Sequence, residues 1–128
     1  MCLWDEVLAW DTQTIAARAD SHRDLAHPLR SRDQLRAVHL CEYGAQAMAI
    51  HGGLLAKAAG GRCRPGMLVA LRAVDLHVIR IDDLPGELTC TAAVLTSGEN
   101  SWQYAFTIAH EAQLLAEGRA AVVLHDPA

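Results

Sequence analysis

The stretch Val38–Leu55, VHLCEYGAQAMAIHGGLL, constrains this chain more than any other, because its eighteen residues hold a single formal charge, Glu42. Ala, Leu, Met, Ile, Val and Cys fall on every side rather than along one stripe. A helix that is apolar all round either crosses a membrane or lies inside a protein core. His39, Glu42, Tyr43, Gln46, Gly44 and the Gly52-Gly53 pair argue against a lipid span, which needs ~20 nearly uninterrupted apolar residues. The expectation is a buried helix with one carboxylate near its N-terminal end. Such a carboxylate is costly unless it is paired, hydrogen-bonded or put to use.

The helix is expected to begin at Arg36 or Ala37 and to stop at Gly60-Gly61, glycine being common just past a helix end. Ahead of it, residues 2–19 read as two short strands turning at Asp11-Thr12. Residues 21–36, polar, Arg-rich and broken by Pro28, read as an irregular loop. Behind it come β-rich runs at 67–81, 87–96, 101–109 and 114–124, with Trp102, Tyr104, Phe106 and Ile108 alternating onto one face. Taken as three long antiparallel strands in succession, these complete the order β-β-α-β-β-β. A flat sheet cannot cover such a helix alone. The sheet is therefore expected to curl round it, and a second copy to cover the remainder. This makes the chain a single α+β domain over residues 1–128, working as a dimer.

Charge and cysteine usage narrow the function classes. The net charge of −4 offers no electrostatic footprint for nucleic acid. Arg23, Arg30, Arg32 and Arg36 nevertheless crowd the approach to the helix, either as a docking patch for an acidic protein or as a solvated loop. Cys2, Cys41, Cys63 and Cys90 lack C-x-x-C spacing and read as free thiols in a reducing compartment. With no leader and no membrane span legible, a cytoplasmic protein is expected. Seven histidines invite a metal, but H-E-x-x-H is absent and no carboxylate–histidine group has ligand spacing, so none is expected.

Glu42 and Gln46 stand one helical turn apart on one face, in an E-x-x-x-Q pattern. With Ser21-His22-Arg23 before it, this resembles the β-hydroxyacyl-carrier-protein dehydratases of fatty acid synthesis, which carry a Gly-His-Phe-Pro loop followed by Glu-x-x-x-Gln. MCLWDEVLAW, SHRDLAHPL, EYGAQAMAIHG and RPGMLVALRAVDLHV are more closely similar to the ApeP-like dehydratases of aryl polyene biosynthesis, over nearly the whole chain. The resemblance implies a hot-dog fold, in which a curved antiparallel sheet wraps a long central helix. Two departures stand out. The loop from His22 to Glu42 is longer than in the fatty acid enzymes and lacks their Pro-Gly before the helix. Relatives also carry a Pro-His segment upstream of Met-Cys-Leu, which predicts a shortened N-terminal lip here.

Dehydrating a 3-hydroxyacyl thioester needs a base for the C2 proton, an acid for the departing hydroxyl and donors for the carbonyl. Histidine suits the first task, with an ordinary pKa of ~6.5. A carboxyl suits the second when burial raises its pKa. By resemblance His22 is the base from one subunit and Glu42 the acid from the other. The Ala37 and Val38 amides would receive the developing oxyanion, and Gln46 would orient Glu42 or a water. His39 shares the face of Glu42, as a second partner of that carboxylate or, more commonly for such a residue, as a satisfied core histidine. His51, His77, His110 and His125 are assigned to structure or surface. Ala45, Met48, Ala49 and Gly52 would set the bore of an acyl tunnel along the helix. The resemblance implies no cofactor, an acyl carrier protein as partner, and a homodimer or a heterodimer with another hot-dog subunit. Two rivals stay open: a thioesterase in which Glu42 activates water, and a non-catalytic subunit that pairs with an active one.

Overall fold

The computed structural model of the chain describes residues 3–32, 34–61 and 66–124. Cys2, Cys63, His125 and the expected connector at 62–65 lie outside the described residues. The chain opens with a hairpin of β1 (Glu6–Trp10) and β2 (Thr14–Ala19). Its turn is made by Asp11, whose carboxylate accepts the amides of Gln13 and Thr14 at 2.8 and 2.7 Å, as short acidic side chains do at turns. A 3₁₀ turn at Ser21–Arg23 starts the loop, and another at Ala37–His39 runs directly into α1 (Leu40–Ala58). Gly60 ends the helix with φ +74, its amide bonded to Lys57 and that of Gly61 to Ala56. That is a Schellman stop, for which a residue without Cβ is suited.

Four strands follow α1, not three: β3 (Gly66–Leu76), β4 (Leu88–Ser97), β5 (Ser101–His110) and β6 (Gln113–Leu124). All pairings are antiparallel, and the sheet order is β1-β2-β4-β5-β6-β3. The succession expected for the last strands is thus corrected. β3 leaves the helix for the far edge, and β4 inserts beside β2. Register shifts at Val7/Ala9, Arg72/Asp75 and Val94/Thr96 bend the strands. Bulges of this kind raise the local twist and let a sheet curl.

α1 lies across β2, β4 and β5. Leu40, Tyr43, Gly44, Ala47, Met48 and His51 are its buried residues. Val38, Glu42 and Ala49 are exposed, and Ala45 and Gly52 are partly so, which marks the opposite face. Burial on all sides is therefore corrected for a single subunit. One sheet covers one face, and the small-residue face beginning at Glu42 stays open. Gly44 permits the close approach on the covered side, where a Cβ would lie 2.8 Å from the Phe106 ring.

Candidate active site

The open face of α1 carries the chemistry that remains available. Glu42, its side chain half exposed, lies 3.2 Å from Nδ1 of His39 across one helical turn. His39 is itself only partly exposed, so it is neither the core histidine of the commoner reading nor a free one. The burial expected to enclose Glu42 is not supplied by its own chain. Gln46, one turn on, accepts the Leu3 amide through its Oε1 at 2.7 Å. Trp4 Nε1 donates to the Tyr43 carbonyl at 2.7 Å, so the N-terminal segment is fastened along the helix as a lip.

The amide expected of Ala37 is already in use. It donates to the Ile79 carbonyl at 2.9 Å, which leaves Val38, whose residue is more than half exposed, as the candidate donor at the mouth. Of the expected tunnel residues, Ala45, Ala49 and Gly52 lie on the partly open side, whereas Met48 is buried in the core.

His22, the base that the resemblance implies, is wholly buried, with Nε2 donating to the Leu84 carbonyl at 2.9 Å. Its Nδ1 is buried with no hydrogen-bond partner among the described residues. Burial pushes its pKa below the ordinary value, although the Leu84 bond works the other way, and the charges of Arg23 and His110 push it lower still.

The sequence reading passed over His27, the histidine whose charge environment includes both His39 and Glu42. It is buried, and its hydrogen bonds define its tautomer. Nδ1 accepts the Leu29 amide at 3.1 Å, so the proton sits on Nε2 and is donated to the Tyr43 hydroxyl at 3.1 Å. Tyr43 then donates to Ser21 Oγ at 2.9 Å, and Ser21 to the Leu3 carbonyl at 2.8 Å. Each hydroxyl in this chain of bonds accepts once and donates once, and each ring nitrogen of His27 is used once. Its signal in the sequence was Pro28, which follows His27 directly, as proline follows closely in the Gly-His-Phe-Pro motif. His51 is likewise saturated, between the Tyr104 hydroxyl at 2.8 Å and the Asp11 carbonyl at 2.7 Å.

Two predictions arise from these bonds. Tyr43→Phe leaves the His27 N–H and Ser21 short of a partner, and is expected to cost ~1–3 kcal/mol in denaturant unfolding. A variant as stable as the parent would show that the network adds nothing. Burial pushes both His22 and His27 down from the ordinary value. As pH falls below ~6.5 the unfolded chain takes up protons first, so stability is present above that value and drains away beneath it. Thermal scans between pH 7.5 and 5 are expected to show a falling Tm (the interval brackets the ordinary histidine value of ~6.5); a flat profile would contradict the burial.

Among the described residues, no group of His, Cys, Asp and Glu is placed to hold a metal ion, and no helix is long and apolar enough to cross a membrane. Cys41 and Cys90 are free thiols, and burial pushes that of Cys90 up to about 12, out of reach of nucleophilic chemistry at neutral pH.

One long helix laid on a curled six-stranded antiparallel sheet, with acid–base groups at the helix mouth, defines a hot-dog subunit. Solved structures agree on the fold. The dehydratase heterocomplex ApeI:P from Xenorhabdus doucetiae matches with a TM-score of 0.88 at 20% identity, over 97% of this chain and 83% of that one. A putative esterase from Mycobacterium tuberculosis matches at 0.68 and 16% identity, over 96% and 92% of the two chains. A mutant of a thioesterase from Staphylococcus aureus matches at 0.70 and 12% identity, over 94% and 93%. Among curated proteins, none matches. The chain belongs to the ApeP-like family, described as ApeP dehydratase, whose model matches residues 1–127.

Proposed function

We propose that this chain is one subunit of a hot-dog dehydratase that converts a 3-hydroxyacyl thioester, carried on an acyl carrier protein, to the trans-2-enoyl thioester in an aryl polyene or fatty acid-like pathway. The observation that carries this reading is the Glu42–His39 pair on the open face at the mouth of α1. Glu42 protonates the departing C3 hydroxyl, which leaves as water. The Val38 amide, at the positive end of the helix, receives the developing charge on the thioester oxygen. A base removes the C2 proton, and the electron pair forms the C2–C3 double bond.

That base comes from a second hot-dog subunit. Within this chain both ring nitrogens of His27 are engaged, and His22 is wholly buried with its Nδ1, unpartnered among the described residues, enclosed, so neither ring is exposed to meet substrate. The partner surface would also cover Glu42, and burial of a carboxyl favours its protonated form. The dehydratase heterocomplex among the similar structures fits a heterodimer. Exposed Arg23, Arg32 and Arg36 on the approach suit an acidic carrier.

The test follows the enoyl product and free thiol together from the N-acetylcysteamine thioester of 3-hydroxybutyrate. It compares the chain alone with the chain co-expressed with hot-dog partner subunits. Enoyl formation confined to the mixed assembly supports the composite site. Enoyl formation by the chain alone would restore an internal base. Free thiol without enoyl would make the protein a thioesterase, and neither product from any assembly would make it a non-catalytic subunit.

A further inference from the structure

The run into α1 is held from outside the helix. Ala37 donates to the Ile79 carbonyl and Ile81 to the Leu35 carbonyl, each at 2.9 Å, with Arg36 facing Arg80 in an antiparallel bridge. Asp82 reinforces this strap with a side chain that is only 5% exposed. Its Oδ1 accepts the Leu35 amide at 2.8 Å and Arg80 Nε at 3.0 Å. Its Oδ2 pairs with the second Arg80 nitrogen and lies 3.9 Å from Arg30 Nη1. Arg30 in turn donates to the carbonyls of Asp24 at 2.7 Å and His22 at 3.0 Å. One carboxylate therefore joins the 22–30 loop, the 35–37 run-in and the 79–84 loop. The Arg80 bonds hold that carboxyl at about 2, so it is ionised throughout the neutral range.

A buried ion pair is weak evidence for stability, because desolvation offsets much of its attraction. Orientation is the better account of this one. We propose that Asp82 is a positioning residue for the dehydration assigned above: through Leu35 and Arg30 it sets the Val38 amide and the His39–Glu42 pair against the 22–30 loop. The proposal rests on that functional reading. Asp82 touches no reacting atom. It acts by fixing where the oxyanion donor and the acid stand, and a displacement of about 1 Å in such groups can cost ~10²-fold in rate.

The test is Asp82→Ala in the assembly that turns over the N-acetylcysteamine thioester of 3-hydroxybutyrate. The expected result is a kcat lower by ~10-fold or more with KM within ~3-fold, and partial recovery of kcat in Asp82→Glu. Amide exchange at Leu35 and Ala37 should quicken in Asp82→Ala while β4 and β5 stay protected. An unchanged kcat, or exchange rising equally through β4 and β5, would overturn the positioning role. A wild-type assembly that forms no enoyl product would overturn the dehydratase reading, and positioning with it; an active wild type with an equally active Asp82→Ala overturns positioning alone.

Discussion

Glu42→Gln is expected to lower enoyl formation by ~10²-fold or more while leaving the fold intact. The amide matches the carboxyl in shape but has no proton to give the departing hydroxyl. Little stability is at stake. Glu42 is half exposed and its recorded partner is His39, three residues before it, a pair of the kind that contributes ~0–1 kcal/mol at a surface. Its interest lies in the separation of the two effects. A structural carboxylate would lower Tm and leave turnover per folded molecule unchanged, whereas an acid does the reverse. Turnover at the parental rate by Glu42→Gln would remove the group on which the proposed chemistry rests.

Gly44→Ala is expected to destabilise the fold by ~1–3 kcal/mol, although it places the best helix former in the middle of a helix. The propensity gain is ~1 kcal/mol. Against it stands a Cβ 2.8 Å from Cδ2 of Phe106, a ring that is itself confined. Phe106 faces Gly118 across the β5–β6 pairing, and a Cβ there would meet the same ring at 3.1 Å. The ring thus sits between two glycines, one on the helix and one on the neighbouring strand, and has little room to retreat. Overpacking should outweigh propensity. Denaturant unfolding checks the sign, and the double variant Gly44→Ala/Phe106→Leu checks the cause: its loss should be smaller than the two single losses added together. A Gly44→Ala protein more stable than the parent would mean that helix and sheet separate cheaply.

Part of the candidate site's geometry was legible in the chain, and what was not shares one cause. The adjacency of His39 and Glu42 follows from their three-residue spacing on a helix, and the structure places them 3.2 Å apart. His22 was read by resemblance as the base, and nothing in its local sequence announced its burial. Its partner, Leu84, lies 62 positions away, where local sequence gives no hint of it. The Ala37 amide was assigned to substrate for the same reason, since the Ile79 carbonyl that takes it belongs to a distant loop. Gln46 shares a face with Glu42, yet its recorded acceptor bond reaches back 43 positions to Leu3. His27 was missed because its burial and its bond to the Tyr43 hydroxyl, 16 positions on, arise only when the loop folds over the helix.

What the sequence determined by itself was therefore local or periodic: one long helix ending at Gly60, the alternation of the strands, the hairpin turn at Asp11, and the shared helical face of His39 and Glu42. Such features are settled by residues within about a turn or two of one another, where backbone geometry dictates the contacts. The tertiary structure alone decided which face of α1 the sheet covers, that β3 travels to the far edge, and which histidines and amides are spent. Those outcomes depend on hydrogen bonds and burial between segments tens of residues apart. A buried polar group is satisfied by whatever the fold brings to it, not by its neighbours in the chain.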